Sequence, residues 1–105
     1  MRFTEVMPGA AYAVAWGEPN GGHGGFTRVK VGYKVPMHSH TFDVRMVVVS
    51  GALIFGDSGG AEARLEPGSY CFVPGGARHT IACAPGVECL FYEEQLGKFD
   101  LKLAR

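Results

Sequence analysis

The chain has 105 residues, room for one domain around one core, and its lysines and arginines balance its aspartates and glutamates at ten each. Zero net charge leaves no electrostatic basis for binding nucleic acid or an anionic membrane surface, and no apolar run reaches the roughly 20 residues of a bilayer span. Apolar residues make up 47% of the chain, which excludes wholesale disorder, and 16 glycines punctuate it.

The first ten residues carry Glu5 and Pro8 and no continuous apolar stretch, so a secretory signal is not expected. Helix patterns are nearly absent, and short β-rich runs alternate with glycine and proline clusters instead. In chain order the predicted strands cover Ala11–Trp16, Phe26–Tyr33, Phe42–Val49, Leu53–Phe55, Glu62–Leu65, Tyr70–Val73, His79–Cys83 and Glu88–Glu93. Eight short strands with turns every 8–12 residues predict an all-β sandwich or barrel. The glycine-dense stretch from Gly17 to Gly25 leads into a strand, not a helix, which excludes a phosphate-cradling loop. His23 in it is read as an exposed loop residue or one that swings toward the site. In the tail, Phe99, Leu101 and Leu103 alternate, predicting a last strand or an arm that covers the barrel or crosses to a partner.

The runs Met46–Val49, Tyr70–Val73 and Leu90–Tyr92 are apolar on both faces, where a sheet with one wet face should alternate. A second copy of the chain is the expected cover, giving a homodimer; the other possibility is that the chain's own termini wrap the barrel. Cys71, Cys83 and Cys89 are odd in number and lack CxxC spacing, so a disulfide framework is not expected and a reduced, cytoplasmic setting is.

The sharpest chemical signal is His38-Ser39-His40, because side chains two apart on a strand share a face and both imidazoles can reach one ion. His79 follows Pro74-Gly75-Gly76-Ala77-Arg78 at the mouth of another strand. Histidine is the commonest protein ligand for transition metals. The glycine and proline frame around these residues adds to the signal. Five residues separate Gly32 from His38-x-His40, with Gly51 beyond, and five separate Gly68 from Pro74-x-Gly76-x-x-His79.

These two blocks resemble the paired motifs of the cupin superfamily. The resemblance covers Gly32 to about Cys83, half the chain. It implies a single-domain, all-β double-stranded β-helix, a jelly-roll barrel, with an N-terminal strand and glycine-rich loop over 1–25, the barrel over 26–95 and an arm over 96–105. It also implies a metal site at His38, His40 and His79 for one divalent transition ion, whether iron, nickel, manganese, zinc or copper. Two positions depart from the motif: Val44 stands where the family has a glutamate, and Cys83 where it has an asparagine. Val44 shares the parity of the histidines and cannot coordinate. Asp43 becomes a fourth ligand only if a bulge turns it inward.

Parity along the two motif strands lines a pocket with Phe42, Val44, Met46, Val48, Ile81 and Cys83. Tyr33, Tyr92 and Cys83 are candidate polar partners, and Arg78 is either a partner for a substrate anion or a surface residue. Three neutral ligands leave an ion its full +2 charge, which favours a small anionic, chelating molecule. Cupins with three-histidine sites include diketone and thiol dioxygenases, so the resemblance implies a dioxygenase-like enzyme first. A metal- or ligand-binding sensor without turnover comes second, and a structural barrel third.

Overall fold

Strands form wherever β-branched and aromatic residues cluster between glycine and proline breaks. The computed structural model of the chain describes residues 1–104. They are β1 (Thr4–Met7), β2 (Ala10–Gly17), β3 (His23–Val29), β4 (Lys34–Ser39), β5 (Val44–Ser50), β6 (Leu53–Asp57), β7 (Glu62–Leu65), β8 (Tyr70–Val73), β9 (His79–Cys83), β10 (Cys89–Gln95) and β11 (Lys102–Leu103). They pair antiparallel in two sheets, a six-stranded one in the order β1-β2-β3-β10-β5-β8 and a five-stranded one in the order β11-β4-β9-β6-β7. Adjacent strands from distant parts of the chain, with the two sheets facing each other, make the double-stranded β-helix that the motifs implied. No helix of the described residues is long and apolar enough to cross a membrane.

The core lies between the sheets. Leu53, Val29, Val48 and Cys89 are almost wholly buried there, with Phe91, Met46 and Val44 beside them. Each large apolar side chain so buried contributes about 1.5–3 kcal/mol. Strand β10 alternates strictly, with Cys89, Phe91, Glu93 and Gln95 inward. That alternation is the two-residue period of a pleated strand, and it carries a carboxylate and a carboxamide inside.

Several boundaries differ from the sequence reading. The run Phe26–Tyr33 is cut short, because β3 ends at Val29 and the chain turns through Gly32, which has φ +77°. The run Phe42–Val49 starts later, at Val44, since Thr41 and Phe42 form a bend. The C-terminal arm lies on its own barrel: Lys102 and Leu103 pair with Ser39 and His38. The last residue of the 96–105 arm lies outside the described residues.

The reading of the cysteines is also corrected. Cys83, at the end of β9, and Cys89, at the start of β10, are joined by a disulfide with Cα atoms 5.8 Å apart. The tight return through Pro85-Gly86 brings two strand ends together, a proximity that counting cysteines does not reveal. Cys71 is free. A bonded pair is the arrangement of oxidising compartments, so the cysteine count no longer supports a cytoplasmic setting.

Candidate metal centre

The two motif blocks meet at one end of the barrel. His38 on β4 is the register partner of His79 on β9. His40 lies just beyond the end of β4, where the chain leaves the strand. The turn Pro74-Gly75-Gly76 then locks onto it: Gly76, at φ +83°, donates its N–H to the His40 carbonyl at 2.7 Å. That left-handed turn is why glycine stands there, and it delivers the chain into β9 at His79.

All three imidazoles are buried, and one ring nitrogen from each lies within 4.8 Å of the others. Their Nδ1 atoms are occupied. His38 Nδ1 lies 2.7 Å from the Pro36 carbonyl, His40 Nδ1 2.5 Å from the Asp100 carbonyl and His79 Nδ1 3.0 Å from the Ala77 carbonyl. A carbonyl can only accept, so each Nδ1 carries the hydrogen and each Nε2 keeps a free lone pair. This is how proteins orient histidine toward a metal.

Burial holds His38 down to about 4, the other two histidines adding to the effect and its bond to Pro36 opposing it. Burial also lowers His40 and His79. Neutral imidazole is the form that binds metal. Aromatic rings brace the cluster: Phe55 stacks on His79 with centroids 5.4 Å apart, and Phe99 of the arm lies 5.0 Å from His40. The donor set therefore fits a divalent transition ion, with metal–nitrogen bonds of about 2.0–2.1 Å within reach of small side-chain movements.

The histidines open onto a cavity of about 700 Å³ between the sheets. Val44, Met46 and Ile81 line it. The other three predicted pocket residues do not. Phe42 is 43% exposed, because the bend before β5 breaks the parity carried over from β4, and its ring lies against Gly97. Val48 is buried but packs deeper in the core. Cys83 is taken up by the disulfide.

Asp43 faces away from the histidines: its Oδ1 accepts the N–H of Gly75 at 2.7 Å, and among the described residues no carboxylate joins the cluster. Tyr92 is bound on the outside of the barrel, accepting from Trp16 and donating to Glu94. Tyr33 packs against the core, and Arg78 is exposed; neither lines the cavity.

His23 is not an exposed loop residue. It opens β3, is buried, and lines the same cavity. Its Nδ1 donates to the Gly21 carbonyl at 2.8 Å, and its Nε2 accepts from Gln95 Nε2 at 2.7 Å. Around it stand Tyr12, Thr27 and Glu93, which the sequence reading missed. Inward parity along β10, continued two and four residues past Phe91, is the signal that finds Glu93 and Gln95.

Fold and site together define a cupin barrel with a three-histidine cluster. The chain belongs to the family described as Domain of unknown function (DUF4437), whose model matches residues 3–104. Among curated proteins, none matches the sequence. Solved structures share the fold. The polyketide cyclase RemF from Streptomyces resistomycificus superposes with a TM-score of 0.81 at 17% identity, over 93% of this chain and 72% of that one. The DMSP lyase DddQ from Ruegeria pomeroyi DSS-3 gives 0.80 at 20% identity, over 94% of this chain and 53% of that one. An RmlC-like cupin from Shewanella frigidimarina NCIMB 400 gives 0.78 at 17%, over 91% and 83%. At these identities the likeness shows the fold alone.

Proposed function

We propose that this protein is a metal-dependent, dioxygenase-like enzyme that acts on a small anionic, chelating molecule at His38, His40 and His79. One observation carries the reading. Each histidine spends its Nδ1 hydrogen on a backbone carbonyl and keeps its Nε2 free, inside a cavity large enough for a small molecule. A bound divalent ion would supply Lewis acidity and, with iron, a site for oxygen chemistry.

The chain's own residues do the rest. Val44, Met46, Ile81 and Phe91 exclude water around the site. Arg2 and Lys98, both exposed, are the basic side chains lining the cavity, at its solvent end, and they favour an anion there. The absence of a carboxylate ligand at Val44 supports the same preference, because nothing in the cluster offsets the charge of the ion.

A second reading, a ligand-binding or sensor module without turnover, is favoured by the apolar surroundings of the histidines, which offer no general base beside them. Oxygen uptake by ferrous-loaded protein, with diketones, thiols and small carboxylic acids as candidates, separates the two. Consumption that depends on one of these compounds and is lost in His79→Ala supports the enzyme. Tight binding without consumption supports the module. We further propose that the active unit is a homodimer, joined through the outer face of the six-stranded sheet.

A further inference from the structure

Small β-barrels normally fill their interior with their own side chains or hold one small ligand there. This barrel leaves about 700 Å³ open between its sheets. A void lined by apolar groups forfeits the contacts of close packing, so it costs stability unless a ligand occupies it. The volume is that of a site enclosing most of a drug-sized molecule. A short-chain acid chelated at the histidines would leave most of it empty.

The walls define what fills it. Val35 on β4 and Ile81 on β9 are register partners in the five-stranded sheet, and both line the cavity. Met46 on β5 and Phe91 on β10 line it from the six-stranded sheet, and all four side chains are buried. The apolar lining continues outward. Val6 on β1, Val14 on β2 and Phe99 of the arm line the same cavity, yet they are 56%, 46% and 39% exposed. Exposed apolar residues scattered singly mean little, but these rim one apolar cavity, the arrangement of a ligand groove.

The polar groups of the lining are largely committed to the chain itself. His23 uses both ring nitrogens, Nδ1 on the Gly21 carbonyl and Nε2 on the Gln95 carboxamide. Thr27 donates its hydroxyl hydrogen to Glu93 at 2.7 Å, and the Tyr12 hydroxyl is itself buried. Burial pushes the Glu93 carboxyl toward its neutral form, with the bond from Thr27 opposing, and a neutral carboxyl suits an apolar neighbour. Polar recognition of a ligand therefore falls to the histidine end, and the rest of the cavity acts by apolar contact.

We propose that the ligand of the histidine centre is an amphiphile, a chelating anionic head joined to a hydrocarbon chain that runs past Val35, Ile81, Met46 and Phe91. The head rests on the metal-site reading above, and the chain rests on the walls. Selectivity then comes from chain length, each buried methylene adding about fourfold in affinity.

The test uses a series of hydroxamic acids with a constant head: acetohydroxamic, butanohydroxamic, hexanohydroxamic and octanohydroxamic acid. Each is titrated calorimetrically into nickel-loaded wild type, Val35→Thr and Val14→Asn. The wild type should bind octanohydroxamic acid about a hundredfold tighter than acetohydroxamic acid, or better. Val35→Thr keeps the shape of the wall and puts a hydroxyl on it, and Val14→Asn alters an exposed position of the rim. In either variant the gain from the longer chain should fall about fivefold, with acetohydroxamic acid unaffected. Melting checks that each variant folds, and if Val35→Thr does not, Val14→Asn decides alone. Equal affinities along the series, a gain undiminished in every folded variant, or no binding of any probe to fully loaded protein overturns the amphiphile. Failure of the wild type to take up nickel overturns the metal-site reading instead, and is read from metal content before any probe is added.

Discussion

His40 donates its Nδ1 hydrogen to the backbone carbonyl of Asp100, 2.5 Å away and sixty residues further along the chain. The other two histidines are oriented locally, each by a carbonyl two residues before it. One third of the candidate centre therefore depends on the C-terminal arm. The Asp100 side chain pins that arm in place, accepting from the Thr41 N–H at 2.7 Å and the Thr41 hydroxyl at 2.5 Å.

Asp100→Ala should loosen the arm and leave His40 without a fixed orientation. Partners that orient a ligand are typically worth about 10–100-fold in metal affinity, and a loss of about tenfold is expected here. Competition against a chromophoric chelator measures it. An affinity equal to that of the wild type would mean that the arm plays no part in holding His40.

The metal-free protein should lose stability in acid. Imidazoles of the unfolded chain titrate near 6.5, whereas burial lowers all three in the folded state, His38 to about 4. Above about 6.5 the histidines are neutral in both states and contribute no pH dependence. As the pH falls from there toward 4 the unfolded chain binds protons that the folded chain refuses, and stability declines. Glu93 has the opposite sign: its raised pKa favours the folded state at low pH, and that contribution is lost as the pH rises through it. Urea unfolding at a series of pH values should therefore show a decline between about 6.5 and 4 that flattens when His38, His40 and His79 are all replaced by alanine. An equally steep decline in the triple variant would assign the acid sensitivity to other groups.

Reducing the Cys83–Cys89 disulfide should cost stability without removing the fold. The bond closes a short loop, the two cysteines being six residues apart, for which the chain-entropy model gives about 2 kcal/mol. Melting with and without a phosphine reductant should show a fall of about 8–16 °C. No change, or three titratable thiols in protein isolated without reductant, would show that the bond is not closed in solution.

The outer face of the six-stranded sheet exposes Val47, Val49, Tyr70 and Phe72, from 38% to 60% of each residue. This is the face through which the proposed homodimer would join. Light scattering should give twice the 11.2 kDa chain mass. Replacing Tyr70 and Phe72 by glutamate should halve that mass while the barrel stays folded. A wild type at the mass of one chain would remove the dimer.

How much of this was legible in the sequence depended on whether local pattern or long-range pairing decides a feature. The two glycine-framed blocks are local, and they pointed to the barrel and to His38, His40 and His79 together. Parity also placed Val44, Met46 and Ile81 in the cavity, since it holds within one strand. It failed for Phe42, which sits in a bend between strands where the two-residue period restarts. The Cys83–Cys89 bond, the Asp100 contact to His40 and the Gln95 contact to His23 all depend on which strands become neighbours. Gln95 meets His23 across 72 residues of chain, and no spacing rule reports that.

In the proposed function, His38, His40 and His79 hold one transition metal ion through their free Nε2 atoms. Metal analysis of protein purified without a histidine tag tests it most directly. About one equivalent of a divalent transition metal per chain is expected, lost when His38, His40 or His79 is singly changed to alanine and retained in His23→Ala, whose imidazole is already bound to Gln95 and Gly21. Full metal content in the triple variant His38→Ala/His40→Ala/His79→Ala would contradict it.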